Sequence, residues 1–135
     1  MEENKSIQKK IIIVDTNILL VPFQFKVDII SDLKYLLDKP HKYVISSRTL
    51  NELKKIGEQI GKDGMAARVA LKTIEANKFD FEIIENNMPV DSWILKYSVQ
   101  HNAYVATNDA ALRMKLKSKR VRVISLKGRS KLGFA

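Results

Sequence analysis

The segment IIIVDTNILL, residues 11–20, runs four β-branched apolar residues straight into Asp15-Thr16-Asn17 and then turns apolar again. A short continuous run of this kind reads as a strand buried on both faces. Burial penalises a charged carboxylate, so Asp15 at the end of the run needs a physical reason. The segments on either side supply the frame for one.

Counting outward from Lys10–Val14, further strands are expected at Tyr43–Ser46, Phe81–Ile84, Ala103–Ala106 and Val121–Ser125. Between them, apolar residues recur at helical spacing: Ile30, Leu33 and Leu37; Leu50, Leu53 and Ile56; Ala66, Ala70 and Ile74; Ile94, Leu95 and Val99; Leu112 and Leu116. Each set shares one helical face. Pro89 marks the start of the fourth helix. No clear helix is expected immediately after Asp15. The alternation predicts an α/β fold, a three-layer α/β/α sandwich around a mostly parallel sheet of about five strands. The glycine-rich GEQIGKDG, residues 57–64, reads as a loop between helices. It is not a phosphate-binding P-loop, because the spacing is one residue short and Asp63 stands where Ser or Thr must bind magnesium.

The 135 residues suit one domain over 1–135, and 45% of them are apolar, too many for a disordered chain. There is no cysteine, which excludes disulfides, thiolate zinc sites and cysteine nucleophiles. The two histidines, His41 and His101, do not suggest a histidine metal site. Residues 2–10 are polar and show no secretory signal, and no run is long enough to span a bilayer. A cytoplasmic protein without membrane association is expected. The net charge of +9 is unevenly spread. Residues 1–109 hold 15 basic and 15 acidic side chains, whereas the basic C-terminal segment, residues 110–135, holds nine basic residues and no acid. Such a block attracts a polyanion. Arg113, Lys115, Lys117, Lys119 and Arg120 are its candidate RNA-binding residues.

Four acids fall near the expected strand ends: Asp15, Glu52, Asp91 and Asp109. Right-handed crossovers bring such positions to one rim of a parallel sheet, where open α/β sheets place ligands. Each acid also has a local explanation. Asp15, Asp91 and Asp109 are good helix caps, and Thr49-Leu50-Asn51-Glu52 fits a capping box. Caps, however, should splay outward. Convergent carboxylates about 4 Å apart repel by roughly 4 kcal/mol at an effective dielectric near 20. A proton or metal ion must offset that repulsion. With no cysteine or clustered histidine, hard Mg²⁺ or Mn²⁺ suits the oxygen donors best. Such an ion activates water and stabilises the leaving oxygen of a phosphodiester.

These stretches resemble a PIN domain, the small ribonuclease fold of VapC-type toxins and ribosomal-RNA-processing nucleases. The resemblance spans roughly residues 9–126 and rests most on IIIVDTNILL and AYVATNDAAL, with looser matches in SSRTLNELKKI and VDSWILKYSVQHNA. It implies a metal-dependent endoribonuclease, with RNA as substrate and Mg²⁺ or Mn²⁺ as cofactor. Asp15 and Asp109 would be metal ligands and catalytic residues, completed by Glu52 and Asp91 directly or through water. Asn17 and Thr107 would hydrogen-bond behind them, and Ser47 is a weaker candidate. A homodimer is common in the family. An antitoxin protein or a ribosomal precursor would be the partner, according to role. One departure is Ala111, where many family members carry a further acid, which puts a second metal position in question.

Other readings fit less well. A haloacid-dehalogenase-type phosphatase needs an acid at Asn17. A phosphoreceiver domain would use Asp15, Thr107 and Lys127 but has only Glu85 where its acceptor aspartate belongs. Dinucleotide binding lacks glycines near Asp15. The alternative from another class is a non-catalytic PIN-like RNA-binding scaffold, with the acids as caps and the basic segment as the binding surface. Trp93, Tyr97 and Tyr104 could stack on bases, but Trp93 and Tyr97, four apart on one helix, better suit a core or dimer contact.

Overall fold

The structure is a computed structural model in which residues 8–135 are described. Residues 1–7, including most of the polar stretch read above for a signal, lie outside the described residues. The chain runs β1 (Lys10–Val14), α1 (Thr16–Leu19), α2 (Val21–Phe25), α3 (Ile29–Leu36), β2 (His41–Ser46), α4 (Ser47–Gly57), α5 (Lys62–Ala76) and β3 (Phe81–Ile84). It continues through α6 (Val90–His101), β4 (Tyr104–Ala106), α7 (Ala110–Ser118), β5 (Val123–Lys127) and β6 (Lys131–Phe134).

The strand order is β3-β2-β1-β4-β5-β6. The first five are parallel to one another, and β6 pairs antiparallel with β5. From β1 the chain builds outward through β2 to β3, then returns to lay β4 on the other side of β1. That reversal makes the β1–β4 seam the switch point of the sheet, the position where α/β sheets bind ligands. The period-2 alternation of β1 serves both layers. Ile12 and Val14 join the core under α1–α5, with Leu33, Leu53 and Ala70. Ile13 joins the core under α6 and α7, with Trp93, Ile94, Leu112 and Leu116. The three-layer α/β architecture is as expected. No helix among the described residues is long and apolar enough to cross a membrane.

Four details correct the sequence reading. The sheet has six strands rather than five, because Gly128 takes φ +62° in the turn before β6 and lets the chain fold back on β5. Lys131-Leu132-Gly133-Phe134 carries little strand propensity, and pairing with β5 supplies its partner. A helix does follow Asp15 at once. α1 and α2 are four and five residues long, too short to show a period, and Ile18, Leu19 and Val21 are all buried. The capping box at Thr49 does not form. The N-cap of α4 lies three residues earlier, where Ser46 accepts a hydrogen bond from the Arg48 backbone N–H (3.1 Å), and Thr49 is buried inside the helix. Asp91 is not a side-chain cap either: Pro89 holds the N-cap position of α6 and no side chain caps that end.

Asp28 does cap α3. Its carboxylate accepts from the Ser31 backbone N–H (3.1 Å) and hydroxyl (2.8 Å). These bonds hold the Asp28 carboxyl below its ordinary value of 3.8. A depressed folded-state value means the stabilisation is complete above the unfolded-state value and is lost as pH falls through the folded one. Asp28 is exposed, so solvent screening keeps the effect at the low end of the capping range, about 0.5–1 kcal/mol. Asp28→Ala should therefore unfold at a lower temperature near neutral pH. Thermal unfolding repeated in acid, below the depressed value, should show the two proteins converging.

Candidate active site

Asp15 stands at the C-terminal end of β1, against the β1–β4 seam, and is only 6% exposed. One carboxylate oxygen accepts from the Thr16 backbone N–H (2.9 Å) and so caps α1. The other accepts from the Thr107 hydroxyl (2.7 Å) and, at 3.4 Å, from the Asn17 amide. Register explains the Thr107 contact. Val14 pairs with Ala106, so the next residue on each strand, Asp15 and Thr107, leaves the sheet side by side. The Thr107 hydroxyl also accepts from the Asp109 backbone N–H (3.1 Å), and the Thr107 carbonyl accepts from the Ser125 hydroxyl (2.6 Å). Asn17 ties the same corner to the following loop, its side-chain oxygen accepting from the Asn108 N–H (3.0 Å).

Burial pushes the Asp15 carboxyl above its ordinary value of 3.8, and the negative charges of Asp91 and Asp109 push it the same way. The hydrogen bonds from Thr107 and Thr16 act in the opposite direction. The folded protein thus holds a proton on Asp15 more readily than the unfolded chain does. Its charge becomes a stability cost as pH rises through the raised value.

The other three acids come from separate elements. Asp109 follows β4 and caps α7 by accepting from the Leu112 N–H (2.9 Å). Glu52, in the second turn of α4, accepts from the Thr16 hydroxyl (3.0 Å). Asp91 lies in the first turn of α6. The Asn86 backbone and side chain hold the loop before α6 against the end of β2. The Asn86 amide donates to the Ser46 hydroxyl (2.9 Å), and its backbone N–H donates to the Ser47 hydroxyl (3.1 Å). Arg48 adds a bond to the Asn87 carbonyl (2.8 Å). Ser47 therefore anchors a loop, and it is not among the residues lining the cleft.

Asp15, Glu52, Asp91 and Asp109 line one open cleft of about 740 Å³. The caps do not splay away from the site: Asp15 and Asp109 cap helices and line the cleft together. Two cations share that cleft, Arg48 and Lys55. The sequence reading missed both, because they sit on α4 far from the basic C-terminal segment. A usable signal was present: Arg48, Glu52 and Lys55 are spaced four and three apart on one helix, and so share a face. The five C-terminal candidates behave differently. Arg113, Lys115, Lys117, Lys119 and Arg120 are not among the cleft's lining residues. Lys119 and Arg120 lie at the opposite, N-terminal rim of the sheet. Trp93 is buried beneath α6, and Tyr97 stacks between it and His101, with ring centroids 4.9 and 4.0 Å apart, so this pair serves the α6 face and its core.

An all-carboxylate donor set without His or Cys fits a hard divalent cation. Among the described residues, however, no three such side chains stand close enough to hold an ion by themselves. The expected four-carboxylate cage is in this structure an open rim of acids. An ion bound there would take one or two carboxylates directly and complete its shell with water or substrate oxygens, as Mg²⁺ does.

A parallel sheet with four acids gathered over its switch point defines an α/β domain with an anionic, cation-seeking cleft. The chain belongs to the PIN-like domain family, whose pattern it matches over residues 12–129. It is 29% identical over 116 residues to Ribonuclease VapC9 of Archaeoglobus fulgidus, covering 85% of this chain and 82% of that protein. It also superposes on the PIN domain endonuclease Utp24 with a TM-score of 0.72 and 25% identity, covering 92% of this chain and 90% of that one.

Thr107 is the hinge of the site's hydrogen bonding, fully buried and serving two acid-bearing segments at once. Thr107→Val should leave the Asp15 carboxylate and the Asp109 N–H without their partner. A loss of about 1–3 kcal/mol of stability is expected. The Asp15 carboxyl should also titrate higher than in wild type, which carboxyl NMR would read.

Proposed function

We propose that the protein is a metal-dependent endoribonuclease that hydrolyses RNA phosphodiester bonds in the cleft over the β1–β4 seam. One observation carries the reading: four carboxylates from four separate segments line a single cleft together with Arg48 and Lys55. Acids without cations would repel a phosphodiester, and cations without acids would bind one without cutting it. The names of the relatives, a ribonuclease and a PIN domain endonuclease, support the same activity.

In this reading Asp15 and Asp109 would be the direct ligands of Mg²⁺ or Mn²⁺, and Glu52 and Asp91 would complete the shell through water. An ion held there would lower the pKa of a bound water and offset charge on the scissile phosphate. Thr107 holds the Asp15 carboxylate in place, and Asn17 fixes the loop that carries Asp109. Glu52, tied to Thr16, or Asp91, in the first turn of α6, would accept a proton from the attacking water. Arg48 and Lys55 orient the phosphate, Arg48 with the planar donor fork that matches phosphate oxygens. Ala111 leaves this rim one acid short of many family members, which favours a single ion completed by substrate oxygens. A toxin-type role would bring an antitoxin protein as partner, and a processing role a ribosomal precursor. Co-purification from the native cell distinguishes the two.

RNA cleavage in Mn²⁺ or Mg²⁺ tests the proposal. Asp15→Asn and Asp109→Asn, each shown to be folded, should lose about two orders of magnitude or more in rate, as when a charge-stabilising group leaves an active site. Lys55→Gln should mainly raise KM, by about tenfold for one lost charge-assisted bond. RNA binding with no cleavage in any divalent metal would replace the nuclease with the scaffold reading. Undiminished cleavage by both Asp variants would reduce those acids to helix caps.

A further inference from the structure

The rim opposite the cleft carries its own concentration of charge. A hollow of about 250 Å³ is lined there by Lys10, Asn102, Tyr104, Lys119, Arg120 and Arg122, and no carboxylate is among its described lining residues. It forms where the N-terminal ends of β1, β4 and β5 meet the C-terminal ends of α6 and α7. Helix C-termini carry partial negative charge, and basic residues often collect there to offset it. The magnitude decides against that as the whole explanation. Two helix ends amount to roughly one negative charge, whereas four cations line this hollow.

Two of those cations are held in particular ways. Arg122 places its guanidinium over the rings of Phe134 and Tyr104, 4.6 and 5.6 Å from their centroids. Cation–π contact with two rings restrains the guanidinium at the mouth of the hollow, and its five N–H donors suit phosphate oxygens. Arg120 occupies the left-handed region, with φ +63°. It is the residue just past the C-cap of α7, where its N–H bonds the Lys117 carbonyl (2.9 Å) and the Val121 N–H bonds the Leu116 carbonyl (3.0 Å). Glycine is strongly favoured at that position of this turn. The chain instead keeps a long cation there, at a conformational cost that the turn itself does not repay.

α7 connects the two rims. It begins beside Asp109 at the cleft and ends at Lys119 and Arg120, and it carries Arg113, Lys115 and Lys117 between them. Five strand steps separate Lys10 from Asp15 along β1, a distance of about 16 Å. A stacked strand rises roughly 3.4 Å per nucleotide and an extended one further, so at most about five nucleotides cover that span.

We propose that this hollow is a second phosphate-backbone site for RNA, which holds the strand within about five nucleotides of the bond being cut, with the face of α7 that carries Arg113 and Lys117 between. It rests on the reading of the chain as a protein that acts on RNA. Its consequence is a substrate preference for RNA long enough to reach both rims over fragments that fill the cleft alone.

The test is fluorescence anisotropy without divalent metal, so that binding is read apart from cleavage. The probes are a labelled RNA of about three nucleotides and one of about twenty, each titrated at several salt concentrations. The variants are Arg120→Gly and Arg122→Gln, each with a melting curve. For the long RNA, each should weaken binding severalfold and flatten the salt dependence by about one unit of slope. With no cation in the acidic cleft, the short RNA should bind weakly and at the hollow alone, and both variants should weaken it as well. Arg120→Gly should melt at or above the wild-type temperature, since glycine suits the turn better, so its binding defect cannot come from a damaged fold. Unchanged long-RNA binding in a folded Arg120→Gly, or short-RNA binding that neither variant weakens, would overturn the site. A wild type that binds the long RNA through Arg120 yet cuts nothing in Mn²⁺ supports the hollow and overturns only the nuclease reading.

Discussion

A buried carboxylate at the end of the central strand constrains much of this molecule. Asp15 lies almost out of water, where an unpartnered charge would be too costly to keep. Its two oxygens are satisfied from both sides of the β1–β4 seam, by Thr16 and Asn17 from its own strand's exit and by Thr107 from the neighbouring one. That arrangement requires β4 to lie beside β1 in one register. The register in turn fixes where Asp109 emerges, because Thr107 also receives the Asp109 N–H. Hydrogen bonds lower the Asp15 carboxyl's pKa, but burial and the charges of Asp91 and Asp109 raise it further. The charged form of Asp15 is therefore disfavoured by its surroundings in the fold.

Helix capping and site formation coincide here for a topological reason. At the C-terminal rim of a parallel sheet each strand ends where a helix begins, so a good capping residue is also one that looks into the cleft. Asp109 shows both uses in one side chain: one oxygen caps α7 through Leu112, and the residue still lines the cleft. The positive end of α7 offsets part of the repulsion among the acids. Glu52 and Asp91 reach the same cleft without acting as side-chain caps. Their elements are held there by neighbours: α4 by the Ser46 cap, and the loop before α6 by Asn86 and Arg48.

Charge is divided by rim. Acids gather at the C-terminal ends of the strands, with Arg48 and Lys55 among them, and cations without acids among the described residues gather at the N-terminal ends of β1, β4 and β5. A sheet only a few residues tall keeps these opposed regions about 16 Å apart. α7 joins them, because a helix that begins at one rim must end at the other.

Much of this was legible in the sequence. The apolar runs gave the five parallel strands to within a couple of residues, since a strand buried on both faces must be continuously apolar. Helical spacing likewise marked α3 to α7, and the order of Asp15, Glu52, Asp91 and Asp109 along those elements placed them on one rim. Short or edge elements were not legible. α1 and α2 have too few residues to show a period, and β6 is a strand only because β5 offers it hydrogen bonds. Nor could the sequence show which acids cap and which do not, because capping depends on where a helix starts to within one residue. The partners of Asp15, the Asn86 lock, the cations inside the cleft and the separation of the C-terminal basic residues from it all involve residues far apart in the chain. Sequence alone determined which residue types end the strands; the tertiary structure decided which of them meet, because those meetings are set by strand order and register, which no local pattern encodes.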